Sequence, residues 1–205
     1  MTQNSSFSKG SLEIICGSMF SGKTDELIRR VDRARIAKQN VTVFKHKIDK
    51  RVHDTENFLT SRTGSKIEAI AVKTPEEILD YVKKHNIQVV GIDEAHFFSP
   101  YLVDVVAELI IQKKRIIIDG LELDFRGRPF AWVATLMAMA DKVIKLNAIC
   151  SECNDDTFCL SQRIIDGKPA KYDDPIILVG SEEYYIPRCR GCYQIDKKPD
   201  FTNQK

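Results

Sequence analysis

The residues G-S-M-F-S-G-K-T at positions 17–24 are the strongest indication of the fold of this chain. This stretch matches the phosphate-binding pattern G-x-x-x-x-G-K-[ST], in which successive backbone N–H groups surround a phosphate at the start of a helix. The apolar run at residues 12–16 precedes it as a predicted buried strand, and a predicted helix follows it to about Lys38. In this pattern Lys23 reaches the β- and γ-phosphates, and the Thr24 hydroxyl ligates magnesium. The stretch therefore predicts binding of a nucleoside triphosphate with Mg²⁺.

The length and composition of the chain fit a globular protein with one main domain and a smaller module. Its 205 residues are 43% hydrophobic and 29% charged, and the net charge is +2. Such a balance gives no overall attraction to nucleic acid or anionic membrane. The first ten residues lack an apolar signal core, and the longest largely apolar stretch, residues 130–140, is too short to span a bilayer. We expect a cytoplasmic protein that binds neither nucleic acid nor membrane, in a compartment where disulfides are disfavoured.

Apolar strands and helical segments alternate along the chain up to about Ala148. The runs typical of strands buried on both faces are residues 41–44, 89–92, 116–118 and 143–146. Helices are predicted to begin at Thr74-Pro75, with Thr74 as the cap, and at Ser99-Pro100, the second running to about Gln112. This alternation predicts an α/β fold of the P-loop NTPase (RecA-like) class, a parallel sheet with helices on both faces.

The pattern changes after Ala148, where short β-like segments at residues 158–165 and 176–179 lie between cysteine pairs. We predict a flexible N-terminus over residues 1–10, an ATP-binding α/β domain over 11–148, a zinc-binding module over 149–195 and a flexible tail over 196–205. The module over 149–195 is called the cysteine module below.

Two acids, Asp93 and Glu94, follow the apolar strand that begins near residue 87. In P-loop proteins the first such acid holds magnesium, usually through water, and the second can act on the nucleophile. A base must lie near the γ-phosphate, and ligands of parallel sheets bind at the carboxyl ends of the strands. We therefore expect Asp93-Glu94, the glycine loop and the segment after Ile118 to converge there.

Four of the six cysteines form two C-x-x-C pairs, Cys150 with Cys153 and Cys189 with Cys192. Four thiolates at such spacing close a tetrahedral zinc site, and the metal replaces the hydrophobic core that so small a module lacks. Two redox-active pairs are the weaker alternative, because neither pair opens a thioredoxin-like helix. Of the other two cysteines, Cys16 is expected to be a buried small hydrophobe and Cys159 has no assigned role.

Taken together, the chain resembles the zinc-containing (type II) thymidine kinases from about Leu12 to Tyr193. The resemblance rests on G-S-M-F-S-G-K-T, I-D-E-A-H-F-F, D-F-R-G-R-P-F and the two C-x-x-C pairs in that order. It implies transfer of the γ-phosphoryl of ATP to the 5′-hydroxyl of thymidine, and of deoxyuridine as a second substrate, in nucleotide salvage. It implies Glu94 as the general base and Asp93 as the acid that assists Mg²⁺. The residues it assigns to ATP and Mg²⁺ are Gly17, Ser18, Met19, Phe20, Ser21, Gly22, Lys23, Thr24, Asp93, Glu94, Ala95 and His96.

The resemblance also implies an apolar nucleoside pocket, covered by a lasso-like loop at residues 176–180 that reads the base with backbone groups. The residues assigned to this pocket are Met19, Phe97, Leu121, Phe125, Phe130, Ser161, Ile176, Leu178 and Tyr185. Three positions depart from the family pattern: His96 for a common Gln, Glu122 for a frequent Asp, and Ser161 near an expected Thr. The charged stretch at residues 49–51 is either part of the triphosphate site or a solvated turn. The family further implies a homotetramer and feedback inhibition by dTTP.

Two other functions remain as alternatives to a thymidine kinase. One is a zinc-bearing ATPase stimulated by nucleic acid, although the many acids of the cysteine module count against a phosphate-backbone partner. The other is a regulatory module that binds ATP without turnover.

Overall fold

The computed structural model of the chain describes residues 9–48, 57–176 and 183–199. In chain order the elements of these ranges are β1 (Ser11–Gly17), α1 (Lys23–Ile36), β2 (Val41–His46), β3 (Phe58–Thr60), β4 (Lys66–Glu68), β5 (Ile70–Val72), α2 (Pro75–His85), β6 (Val89–Ile92), a short 3₁₀ helix (Ala95–Phe97), α3 (Leu102–Ile111), β7 (Arg115–Gly120), α4 (Ala131–Met139), β8 (Lys142–Leu146), β9 (Cys159–Ile165), β10 (Lys168–Pro169) and β11 (Glu183–Cys189).

The main sheet has six parallel strands in the order β5-β2-β6-β7-β1-β8. Apolar side chains of β1 point to both faces of the sheet, and helices cover both faces. Ile14 joins the cluster that contains α2, α3 and α4, whereas Ile15 joins the cluster that contains α1. The predicted parallel α/β sheet with helices on both faces is confirmed, and all five predicted strands of residues 12–146 are present.

Helix α1 follows the glycine loop and packs one apolar face on the sheet. Leu27, Val31 and Ala34, spaced four and three residues apart, are all buried on that face. Full burial of a leucine or valine side chain stabilises the fold by roughly 1.5–3 kcal/mol. This packing holds the start of α1, and with it the glycine loop, against the sheet.

Two helix starts differ in detail from the sequence prediction. Thr74 occupies the cap position of α2, but its side chain makes no cap hydrogen bond. Instead, Glu77 accepts a hydrogen bond from the backbone N–H of Lys73 at 3.1 Å. The helix predicted at residue 99 begins at Leu102, after a turn in which the Leu102 N–H donates to the Ser99 carbonyl at 3.0 Å.

A separate antiparallel sheet of three strands, β10-β9-β11, lies in the cysteine module. Its central strand β9 confirms the β segment predicted at residues 158–165. The segment predicted at 176–179 lies outside the described residues except for Ile176, as do most of the predicted flexible ends. The hairpin of β3 and β4 was not predicted from the sequence, because strands of only three residues show no clear hydrophobic pattern. Among the described residues, none of the helices combines the length and the apolar character that crossing a membrane requires.

Candidate triphosphate and nucleoside site

The glycine loop joins β1 to α1 with a backbone that depends on its two glycines. Gly17 has φ 149°, and a Cβ there would lie 2.3 Å from the carbonyl oxygen of Leu146. Gly22, at the N-terminal cap of α1, has φ 82° and therefore the left-handed conformation that glycine adopts without cost. Lys23 is buried and folds back over the loop, where its Nζ donates to the Ser18 carbonyl at 2.9 Å. The loop thus has the form that surrounds a phosphate.

Asp93 lies at the carboxyl end of β6, fully buried beside the start of α1. The Thr24 hydroxyl donates to Asp93 Oδ1 across 3.4 Å. A hydroxyl and a carboxylate are the hard oxygen donors that Mg²⁺ prefers. These two residues therefore have the donor chemistry for a magnesium ion beside the loop.

Glu94 follows with a left-handed backbone, φ 49° and ψ 56°. This conformation costs a non-glycine residue on the order of 1 kcal/mol, so the surrounding structure must impose it. The Glu94 N–H donates to Asp119 Oδ1 at 2.8 Å, and Asp119 is fully buried at the end of β7. Burial, and then the charge of Glu94, raises the pKa of Asp119 to about 6.

His96 contacts Glu94 through a ring nitrogen that already accepts a hydrogen bond. The Leu121 N–H donates to His96 Nδ1 at 3.2 Å, and the same nitrogen lies 3.3 Å from Glu94 Oε2. Leu121 and Glu94 therefore meet the same nitrogen of the His96 ring. His96 is therefore a polar neighbour of the predicted base.

One cavity of about 380 Å³ joins the glycine loop to the predicted nucleoside residues. The predicted ATP-site residues that line it are Met19, Phe20, Gly22, Lys23, Thr24, Glu94 and His96. The predicted nucleoside-site residues that line it are Met19, Phe97, Leu121, Phe125, Phe130, Ser161, Ile176 and Tyr185. Leu178 and residues 49–51 lie outside the described residues. Gly17, Ser18, Ser21, Asp93 and Ala95 are absent from the lining.

Four residues that the sequence did not single out also line this cavity: Asp25, Arg62, Thr63 and Asp124. Two of them, Arg62 and Thr63, belong to the turn between β3 and β4. The Arg62 guanidinium lies 3.8 Å from the centre of the Phe20 ring, and the Thr63 hydroxyl donates to Asp25 at the start of α1. The hairpin thus rests on the glycine loop, a contact that no local pattern indicates.

Arg163 forms a buried polar support beneath the nucleoside side of the cavity. It is fully buried on β9, with its guanidinium 4.8 Å from the centre of the Phe125 ring and 6.0 Å from that of Tyr185. One of its terminal nitrogens donates to the Pro175 carbonyl at 2.5 Å. Arg163 therefore holds the backbone at the start of the predicted lasso, of which Ile176 is the first residue and the only described one. An arginine within a β segment gave no signal of this role.

The two remaining departures from the family pattern also have defined surroundings. Ser161 on β9 accepts a hydrogen bond from the Met19 N–H at 2.9 Å and lines the cavity. Glu122 is buried outside the cavity lining, with one carboxylate oxygen 3.3 Å from Lys145 Nζ. Thus Ser161 lies at the predicted site, whereas Glu122 lies outside the cavity lining.

The four cysteines of the C-x-x-C pairs come together in space. Their sulfurs all lie within 4.8 Å of one another, and the sulfurs of Cys153 and Cys189 are 3.6 Å apart. Tetrahedral zinc with Zn–S bonds of about 2.3 Å places its sulfurs about 3.8 Å apart, so the cluster fits a structural zinc ion. Cys16 and Cys159 are buried and do not belong to this cluster of four. Burial raises the pKa of both thiols to about 11, and Cys159 donates to the Ala148 carbonyl at 3.2 Å.

Known proteins to which this chain is similar include a solved structure and a protein family. A solved structure similar to the chain is the flagellar accessory protein FlaH from Methanocaldococcus jannaschii, at 15% sequence identity and a TM-score of 0.47. That similarity covers 67% of this chain and 71% of that one. The sequence profile of the thymidine kinase family matches residues 10–193. Since this match spans most of the sequence, the chain belongs to the thymidine kinase family.

Proposed function

We propose that the chain transfers the γ-phosphoryl group of ATP to the 5′-hydroxyl of thymidine, with deoxyuridine as a second substrate. The observation that carries the proposal is the shared cavity. Lys23 and Thr24 of the glycine loop, the carboxylate residue Glu94, and the rings of Phe125 and Phe130 all line it. A cavity with this lining can hold a triphosphate and a planar nucleobase on either side of the Glu94 carboxylate, the proposed general base.

In the proposed mechanism the phosphate side supplies positioning and positive charge. Backbone N–H groups of the loop hold the triphosphate, and Lys23 neutralises charge on its β- and γ-phosphates. Thr24 and Asp93 would hold Mg²⁺, which would add charge neutralisation at the same phosphates. Phosphoryl transfer asks for little covalent chemistry from the protein, so these groups meet most of its demand.

Glu94 is the proposed base that accepts the proton of the 5′-hydroxyl as the nucleophile attacks. Its carboxylate lines the cavity with 17% of the side chain exposed, so a bound hydroxyl can reach it. We propose that Glu94 acts by general base catalysis, a contribution of typically 10²–10⁴-fold in rate.

On the nucleoside side of the cavity, we propose that aromatic rings and the strands of the cysteine module determine which nucleobase binds. Phe125 is buried and Tyr185 lies on β11, which pairs with β9 throughout its length. A planar pyrimidine gains contact area against such rings. We propose that zinc at the four cysteines holds β9 and β11, and with them Ser161 and Tyr185, in place.

The family membership supports two further proposals about regulation and assembly. We propose that dTTP inhibits the enzyme and that it assembles as a homotetramer. Inhibition assays with dTTP, and light scattering coupled to size-exclusion chromatography, test each proposal independently.

The proposed reaction is tested by incubating the protein with Mg-ATP and each nucleoside and measuring the monophosphate by mass spectrometry. We expect dTMP from thymidine and dUMP from deoxyuridine. Glu94→Gln should lower the rate by at least about 100-fold while ATP binding is retained, because only the base is lost. ATP hydrolysis stimulated by single-stranded nucleic acid, without dTMP, would instead support the ATPase alternative. ATP binding without any turnover would support the regulatory module.

A further inference from the structure

The end of β7 holds the turn that carries Glu94 through three consecutive contacts. Asp119 accepts the N–H of Glu94 at 2.8 Å. Gly120 leaves room for Ala95, because a Cβ at position 120 would lie 3.3 Å from the Ala95 nitrogen. The next residue, Leu121, donates its N–H to the His96 ring at 3.2 Å. Residues 119–121 therefore face residues 94–96 one by one.

These contacts begin where the regular pairing of the two strands stops. The ladder between β6 and β7 ends at the pair Ile92 and Ile118. Beyond it the chain turns into the left-handed conformation of Glu94, so the Glu94 N–H no longer points at a ladder carbonyl. The side chain of Asp119 supplies the acceptor that the neighbouring backbone does not.

Asp119 is itself fixed relative to the glycine loop. On its other side β7 pairs with β1, where Asp119 lies opposite Ile15, two residues before Gly17. Asp119 is fully buried, and its strand β7 pairs with β6 on one side and with β1 on the other. A displacement of Asp119 would require a displacement of β1, and the distance between loop and base is therefore set through this residue.

A carboxylate at this position is unfavourable for the fold taken alone. The preceding residues, Ile116 to Ile118, are apolar and buried, and an apolar residue would continue that pattern at lower desolvation cost. Besides accepting the Glu94 N–H, the Asp119 carboxylate faces the Asp93 side chain and the Lys23 ammonium at this end of the sheet.

We propose that Asp119 is a positioning residue for Glu94: its carboxylate holds the left-handed backbone of the base at a fixed place relative to the glycine loop. Asp119 does not line the cavity, so it acts through Glu94 and not on the substrates. The inference rests on the proposed role of Glu94 as the base. It adds a residue whose loss should lower turnover without weakening substrate binding.

The test compares two variants of similar shape, Asp119→Asn and Asp119→Leu. Asparagine keeps an acceptor for the Glu94 N–H, whereas leucine does not. With thymidine and Mg-ATP, we expect kcat of D119L to fall on the order of 100-fold, since small misplacements of reacting groups cost about that much. The KM values for both substrates should stay within about threefold of wild type, and D119N should lose less than about tenfold in kcat.

A second readout does not depend on activity. Amide hydrogen exchange at residues 94–96 should be as slow in D119N as in wild type and clearly faster in D119L, with thermal melting confirming that both variants are folded. Equal kcat and equal exchange in the two variants would overturn the proposal. If wild type phosphorylates no nucleoside, the proposed function fails, while the exchange comparison still decides whether Asp119 holds the turn. If D119L does not fold, a loss of kcat in D119N equal to that of Glu94→Gln would also overturn the proposal.

Discussion

The hydroxyl oxygen of Ser161 accepts a hydrogen bond from the backbone N–H of Met19 at 2.9 Å, and so joins β9 to the glycine loop. These residues are 142 positions apart in the chain. Both line the cavity, and Ser161 is almost fully buried. The strand of the cysteine module is thereby connected to the phosphate loop by a direct polar contact.

Ser161→Ala should raise the KM for both ATP and thymidine by about tenfold, because it removes the acceptor for a loop N–H. A donor left without a partner in a buried place costs about 1–3 kcal/mol. Steady-state kinetics measures both constants, and Ser161→Thr serves as the control because it keeps the hydroxyl. A rise confined to the thymidine KM would show that the contact does not support the loop.

Arg62→Ala should raise the KM for ATP by about 10-fold or more with little change in the KM for thymidine. The guanidinium lies over Phe20 of the glycine loop and lines the cavity, where a charge-assisted contact to phosphate contributes about 1.5–3 kcal/mol. The matched control is Lys66→Ala on the same hairpin, whose ammonium lies over the Phe58 ring, outside the cavity lining. Equal effects of the two variants would assign Arg62 to hairpin stability alone.

Cys150→Ser should abolish stoichiometric zinc binding. It should also raise the KM for thymidine by a larger factor than it raises the Kd for ATP. One ligand fewer opens the tetrahedral site, so a zinc ion would no longer join the segment before β9, which carries Cys150 and Cys153, to the end of β11, where Cys189 lies. Metal content is measured by plasma mass spectrometry, and ATP binding by calorimetry. The control is Cys159→Ala, a buried thiol outside the cluster of four, which should retain one zinc per chain. Zinc loss in both variants would mean that packing, and not ligation, had been disturbed.

The stability contributed by Glu26 should depend on pH. Hydrogen bonds from Arg29 and then Arg30 hold the pKa of Glu26 at about 2, below its ordinary value near 4.5. A depressed pKa means that the folded state binds the proton less readily than the unfolded state, so the stabilisation is present above the unfolded pKa and is lost as the pH falls towards 2.

Glu26→Gln should therefore lower the free energy of unfolding at pH 7 by about 1 kcal/mol, a modest amount because Arg29 is largely exposed and water screens its ion pair. The difference from wild type should shrink at pH 3. Urea unfolding at the two pH values measures it, and a difference that widens towards pH 3 would contradict the assignment.

Much of the candidate site could be predicted because its residues belong to short motifs with recognisable spacing. The glycine loop requires positive φ at Gly22 and a missing side chain at Gly17, and both demands are visible in the motif. The cysteine pairs have the spacing of a zinc site, and their sulfurs do meet. The aromatic residues of the nucleoside pocket came from the family resemblance, since apolar residues alone do not distinguish a pocket from a core.

The parallel α/β sheet, the loop between β1 and α1, and the acids at the end of β6 could be predicted because hydrophobic periodicity and glycine conformations are properties of neighbouring residues. The contacts of Ser161 with Met19, of Arg62 with Phe20 and of Asp119 with Glu94 became visible only in the folded chain. Each of these contacts joins residues far apart in the chain, and its partner depends on strand order and packing. The sequence alone does not show which backbone group a buried serine or aspartate will contact.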